Sequence, residues 1–301
     1  LAGSTAYADL GGLGGPDGPA DAPVAAVAAG VVLVLTGLLF KAGAVPAHLW
    51  VPDAVQGSST TAAAFLTTVP KLGAVLAIAR LVEHLPAGPL WPTVVGSVAA
   101  VGMTVGNLGA LTQHDVRRLL GWSTISQVGY LMAAGAAVTG SDQARPALLL
   151  FLAGYAVTNL GCFAVLAAGP GRSDIDDWRG LGRARPGLTA SLGVGVLGLL
   201  GTPPTAVFVA KLLTIVVTWD AGLPWLAVLV AANTVLSLTY YLRWLAACLR
   251  APDTAPDDAA EQRAGETSSP DRPVATSLAV TCAVGAVALG LLAGPALALG
   301  G

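Results

Sequence analysis

Lys41, Lys71 and Lys211 are the only lysines among the 301 residues, and each stands inside an apolar run. The runs are "VVLVLTGLLFKAGAVPAHLW", "TAAAFLTTVPKLGAVLAIA" and "GTPPTAVFVAKLLTIVV". A lysine at the depth of a bilayer costs about 3 kcal/mol on the insertion scale. Elsewhere the chain supplies positive charge with arginine. The two side chains differ in what they can do. Burial disfavours a charged ammonium, so a desolvated lysine can release and regain a proton near neutral pH. A guanidinium stays protonated. The pattern predicts three proton-carrying amines; the alternative is lysines that snorkel or pair for stability.

The neighbours of these lysines fit that chemistry. Pro46 follows Lys41, Pro70 precedes Lys71, and Pro203 and Pro204 precede Lys211. Proline removes a backbone donor and interrupts a helix, and interrupted helices are where membrane transporters place ion sites. The proline at 46 predicts a break just after Lys41, with His48 close by as a proton relay or an interfacial anchor. In "GWSTISQVGY", Ser123, Gln127 and Tyr130 fall on one helical face. They are relay candidates, flanked by Thr124 and Ser126. Tyr155, Thr158 and Asn159, and Asn233, Ser237 and Tyr240, could extend a polar path or serve as interhelical hydrogen bonds. All 17 acidic residues lie in loops or at the ends of apolar runs. A carboxylate partner for a buried amine is therefore expected from upstream of Leu1 or from another subunit. The first residue is not Met, which suggests a piece of a longer chain.

The elements that must position these groups are membrane spans. The chain is 54% hydrophobic and 11% charged, with mean hydropathy +0.72. A soluble domain is nearer one quarter charged. Apolar runs predict eight spans, about 24–47, 62–82, 92–111, 119–139, 147–168, 188–218, 224–248 and 274–298, the sixth broken at "GTPPT". The stretches 169–187 and 250–273 read as longer loops. One set of alternate loops holds Arg117, Arg118, Arg172, Arg179, Arg183, Arg185, Arg250, Arg263 and Arg272; the other holds only Arg145. The positive-inside rule puts the first set on the cytoplasmic side, with a bacterial cell membrane as the expected location. A net charge of −2 offers no nucleic-acid surface. Cys162, Cys248 and Cys282 are too scattered for a disulfide framework or a metal site, and "GGLGGPDG" lacks the strand and helix that a phosphate loop needs.

Taken together, these stretches resemble a known family. "FKAGAVPAHLWVPDAVQGSSTTAAAFLTTVPKLGAV" is similar to the seventh and eighth helices of the antiporter-like membrane subunits of respiratory complex I. "QHDVRRLLGWSTISQVGYL", "FLAGYAVTNLGCFAVL", "DIDDWRGLGR" and "GLLGTPPTAVFVAKL" continue the likeness in order, over about residues 24–298. The resemblance implies an all-α, polytopic, fourteen-helix fold of two inverted five-helix repeats, each with a broken helix. This chain supplies helices seven to fourteen of it. Residues 1–23 are then an extramembrane segment, 24–82 the last two helices of a truncated first repeat, and 92–248 a complete second repeat. Residues 249–273 are a cytoplasmic polar loop and 274–298 a final helix.

The resemblance further implies proton translocation coupled to quinone reduction in other subunits. Lys41 matches the lysine of the broken seventh helix, Lys71 that of the eighth, and Lys211 that of the broken twelfth. No cofactor is expected in this chain; NADH, FMN, iron–sulfur clusters and quinone belong to partner subunits. The expected partners are neighbouring antiporter-like subunits and the lipid bilayer. A subunit of a multisubunit sodium/proton antiporter shares these helices and lysines and stands as an alternative, as does an inert structural fragment. Two departures are visible: Gln127 stands where the family often has His, and "GTPPT" replaces "GIPPT".

Overall fold

The computed structural model describes residues 24–86, 88–251 and 272–299. The expected segment 1–23 and nearly all of the loop 249–273 lie outside the described residues. The described chain is almost entirely helical. α1 is Val24–Ala42, α2 Trp50–Gly57, α3 Thr60–His84, α4 Leu90–Leu111, α5 Val116–Ala136 and α6 Ala144–Ala168. A 3-10 turn, Ile175–Trp178, and α7, Leu181–Ala184, lead to α8, Pro186–Leu200. α9 is Ala206–Asp220, α10 Pro224–Leu249 and α11 Pro273–Leu299.

All eight expected spans become helix, in three kinds. Among the described residues, α3, α4, α6, α10 and α11 are each long and apolar enough to cross a membrane. α5 has the length, but Arg117, Arg118, Ser123, Thr124, Ser126 and Gln127 dilute its apolar character. Two expected spans are broken, into α1/α2 and α8/α9.

The breaks fall where the sequence places them, just after Lys41 and at "GTPPT", and each opens on a glycine ahead of its proline. α1 stops at Gly43 (φ +69°) and α8 at Gly201 (φ +87°), each three residues before a proline. Left-handed glycine closes a helix by letting a later amide turn back to a carbonyl. The Ala44 amide donates to the Leu39 carbonyl at 2.9 Å, and the Thr202 amide to that of Leu197 at 3.0 Å. Prolines 46 and 204 follow through cis peptides. Pro70, by contrast, interrupts nothing: α3 runs continuously through it. One proline costs a helix a single donor, and the packing of α3 against α5 and α6 holds it together.

The stretch 169–187 is more ordered than a loop. Asp177 Oδ2 accepts the amides of Ser173 (2.9 Å) and Asp174 (2.8 Å), which caps the 3-10 turn. Ile175, Trp178 and Leu181 anchor the segment on the bundle and are buried. Contacts gather the arginine-rich loops at one end. Arg118 pairs with Asp53 and Arg117 donates to the Ser58 carbonyl at 3.2 Å. The Val116 amide bonds the Ser173 carbonyl at 2.8 Å, and the Gly180 amide bonds that of Arg250 at 2.9 Å. At the opposite end Arg145 meets Glu83 at 2.7 Å.

α5 is the centre of the bundle, buried on nearly all sides between α3, α4, α6, α9 and α10. Its close approach to α4 rests on small residues: a Cβ on Gly129 would stand 2.6 Å from the Met103 nitrogen. Small residues are what let membrane helices pack closely.

Candidate proton-path site

α3 projects Lys71 inward at mid-length, and its side chain is fully buried. Its amine lies against the first helix break. A Cβ on Gly43 would stand 3.0 Å from Lys71 Nζ, and Nζ sits 4.5 Å from the centre of the Trp50 ring at the start of α2. The ring face attracts a cation. Lys71 Nζ has no hydrogen-bond acceptor in the structure. A buried polar group left so costs about 1–3 kcal/mol, a cost retained where the group has a task beyond holding the fold.

Lys211, on the first turns of α9, reaches back to the end of α8. Its Nζ donates to the carbonyls of Leu199 (3.2 Å) and Leu200 (2.9 Å), which the break has released from helical bonding. It also lies 4.1 Å from the centre of the Tyr130 ring. Gln127 Nε2 donates to the same Leu199 carbonyl at 2.8 Å. One backbone oxygen thus ties the central helix to the broken one.

The other expected residues divide. Ser123, Gln127 and Tyr130 come together as the sequence predicts, but α5 is buried all round, so they address different neighbours. Ser123 Oγ meets the Tyr241 hydroxyl at 2.5 Å, and Gln127 Nε2 lies 3.5 Å from that hydroxyl. On the other side of α5, the Tyr155 hydroxyl donates to the Thr67 carbonyl at 2.6 Å and lies 3.4 Å from Thr124 Oγ1. Asn159 Nδ2 donates to Thr67 Oγ1 and Thr68 Oγ1, both at 2.9 Å. These bonds carry polar contact from one turn before Lys71, across α6 and α5, towards Lys211.

Lys41 and His48 part company. Lys41 is exposed on the last turn of α1, among exposed Leu33, Val34 and Phe40. His48 is buried with its ring against Trp122, 5.9 Å between centres. The break that follows Lys41 in sequence therefore houses the amine of Lys71. The Phe40 carbonyl, freed there, accepts the Gly43 amide and the Trp50 indole N–H, both at 3.1 Å.

Sequence reasoning missed Tyr241 and Trp50. Tyr241 sits beside Tyr240, which the sequence does pick out, and a full turn count along α10 would have placed both inside. No sequence signal marks Trp50, because its role depends on how α2 folds back. Among the described residues no group of His, Cys, Asp and Glu could hold a metal.

Comparison with known proteins agrees with this architecture. Residues 22–237 match the family model for the transmembrane region of NADH:quinone oxidoreductase and Mrp antiporters. NADH-quinone oxidoreductase subunit N of Mycobacterium sp. (strain JLS) is 53% identical over 91% of this chain and 57% of its own length. The Chloroflexus aggregans subunit N is 35% identical over 99% of this chain and 60% of its own. This chain thus spans a little over half the length of these relatives. A chain of Thermus thermophilus respiratory complex I with bound aureothin superposes with TM-score 0.76, at 34% identity over 94% of this chain and 60% of its own. A chain of the Mrp complex from Dietzia sp. DQ12-45-1b has the same fold, with TM-score 0.78 at 23% identity over 99% of this chain and 61% of its own. By sequence and fold, this chain belongs to the NADH:quinone oxidoreductase/Mrp antiporter membrane-subunit family, on the branch of the NADH-quinone oxidoreductase subunits N.

Proposed function

We propose that this chain carries protons across the membrane as part of an NADH:quinone oxidoreductase. The observation that carries the reading is the pair of buried amines, each seated on a glycine-closed helix break. Lys211 and Gln127 share the Leu199 carbonyl, so a change in the charge of Lys211 alters what α5 is bonded to. Through Thr124, Tyr155 and Thr67 the same helix reaches the turn of α3 that precedes Lys71. The electron chemistry belongs to partner subunits, with NADH, FMN, iron–sulfur clusters and quinone. The arginine-rich end faces the cytoplasm, residues 92–248 form one repeat and 24–82 the end of another. Lys41, exposed on α1, is the site for a carboxylate brought by a surface outside residues 1–301. The higher identity to subunits N favours this assembly over a sodium/proton antiporter.

The test uses the full-length subunit in its complex, reconstituted in vesicles. Lys71→Ala and Lys211→Ala are each expected to depress proton translocation while the complex still assembles. Full translocation in both assembled variants would remove the buried amines from the path. Purification without flavin and iron–sulfur subunits would point instead to the antiporter assembly.

A further inference from the structure

Lys211 has a polar column on one side of it that the path to Lys71 does not use. From Gln127 it continues to the Tyr241 hydroxyl and Ser123 Oγ. Tyr240, its ring 4.4 Å from that of Tyr241, donates to Asn107 Oδ1 at 3.0 Å, and Asn107 Nδ2 bonds the Asn233 side chain and carbonyl at 3.0 Å. All of these residues are buried. The column points to the arginine-rich end: Ser123 is seven residues into α5 and Tyr241 eight residues from the end of α10, about 10 Å at 1.5 Å per residue.

Unpartnered polar atoms mark its course. Tyr130 Oη, Ser126 Oγ and Gln127 Oε1 are buried without hydrogen bonds, although Tyr130 Oη faces Ser126, Asn107 and Thr234. One turn further along α10, Arg243 Nε and Trp244 Nε1 are also unpartnered, as is Trp178 Nε1 of the 3-10 turn. Trp178 and Trp244 meet edge to face at 5.5 Å, Trp244 three residues beyond Tyr241 towards the end of α10. A buried polar atom without a protein partner is satisfied by water where several such atoms converge.

We propose that Tyr241 is a proton-path residue on a second branch, which joins Lys211 to the arginine-rich face and is sealed by Trp178 and Trp244. Its hydroxyl takes, on one lone pair, a proton passed by water from the Lys211 amine past Gln127, and gives up its own on the other side, to Ser123 or to water, so no charge stays on the ring. Gln127 is the positioning residue that holds the Tyr241 hydroxyl and the Leu199 carbonyl together. The groups around Tyr241 are neutral: Tyr240 on its own helix, Ser123 and Gln127 on α5, and Tyr155 and Cys162 on α6. The amine of Lys211 lies beyond Gln127.

The inference rests on Lys211 carrying protons, so Lys211→Ala is measured beside it in the same reconstituted complex. Tyr241→Phe keeps the ring and removes the hydroxyl; a tenfold or greater fall in translocation is expected, with assembly retained. A second variant replaces Tyr241 by a fluorinated tyrosine, which keeps shape and hydrogen bond but makes the phenol a stronger acid. The pH profile of translocation then shifts if the hydroxyl passes protons, and a purely structural tyrosine leaves it in place. Loss with Lys211→Ala, together with a normal rate in Tyr241→Phe or an unshifted profile in the fluorinated protein, overturns the branch alone. Normal translocation in Lys211→Ala removes both readings.

Discussion

The two helix breaks are built on one backbone plan and filled differently. Each closes with a left-handed glycine and carries a proline three residues later. At the second break the lysine comes from the same broken helix and bonds two released carbonyls. At the first, the lysine comes from the next helix, meets the face of Trp50, and finds no acceptor. The surroundings differ too. α11 lies over the second break so closely that any side chain at Gly290 would run into the backbone of Pro204 and Thr205. The first break leaves Phe40 and Lys41 exposed. The same fold device therefore yields one amine held by two backbone carbonyls and one buried against an aromatic face with no protein acceptor. A proton carrier needs both conditions somewhere along its path: a place that binds the charge and a place that lets it go.

The strongest way to break this comparison is to keep the charge and remove the exchange. Lys211→Arg keeps a cation at the Leu199 and Leu200 carbonyls but forbids deprotonation. It is expected to lower translocation about as far as Lys211→Ala, on the order of 10²-fold, the usual worth of a group that transfers protons. Recovery of the wild-type rate in the arginine variant would make the role of Lys211 electrostatic.

The link between the helices comes next. Gln127→Leu removes one donor from the Leu199 carbonyl, which keeps Lys211, and the long contact to the Tyr241 hydroxyl, which keeps Ser123. Thermal unfolding should show a loss of about 0.5–1.5 kcal/mol, and translocation should fall several-fold. Gln127→His, which can still donate and can also carry a proton, should restore the rate. Equal behaviour of the two variants would separate α5 from the path.

The glycines sharpen the comparison of the breaks themselves. A side chain in the left-handed region costs about 1–2 kcal/mol, so Gly43→Ala and Gly201→Ala should both lower stability by at least that much. Their functional effects should differ. A Cβ at 43 approaches Lys71 Nζ at 3.0 Å, whereas one at 201 meets the Lys211 stem, Cδ at 2.9 Å, and leaves its amine bonded. Translocation per assembled complex should therefore drop more in Gly43→Ala. The smallest effect on translocation is expected from Trp50→Leu, which removes a ring–cation contact worth about 0.5–2 kcal/mol and the indole hydrogen bond to the Phe40 carbonyl, and should appear as a shift in melting temperature. A change in the opposite order would mean that Trp50, and not the glycine turn, sets the position of Lys71.

Much of the molecule is legible in the sequence because membrane physics writes in composition. Twenty apolar residues make a span wherever they occur, and a lysine among them is costly whatever the fold, so the spans and the three candidate amines need no tertiary information. The break at "GTPPT" is equally plain. The sequence also placed Ser123, Gln127 and Tyr130 on one side of α5, because helical spacing is local geometry. Three things depended on the packed structure. Which lysine fills the first break is decided by α3 folding back against Gly43, so the sequence neighbour Lys41 stays outside and Lys71 enters. The order of 169–187 comes from Ile175, Trp178 and Leu181 finding a surface that does not exist until the helices are assembled. The partners of α5 follow from its being surrounded: once every face is buried, each polar side chain must bond whatever helix it faces, and only the packing says that Gln127 meets the carbonyl that Lys211 also holds.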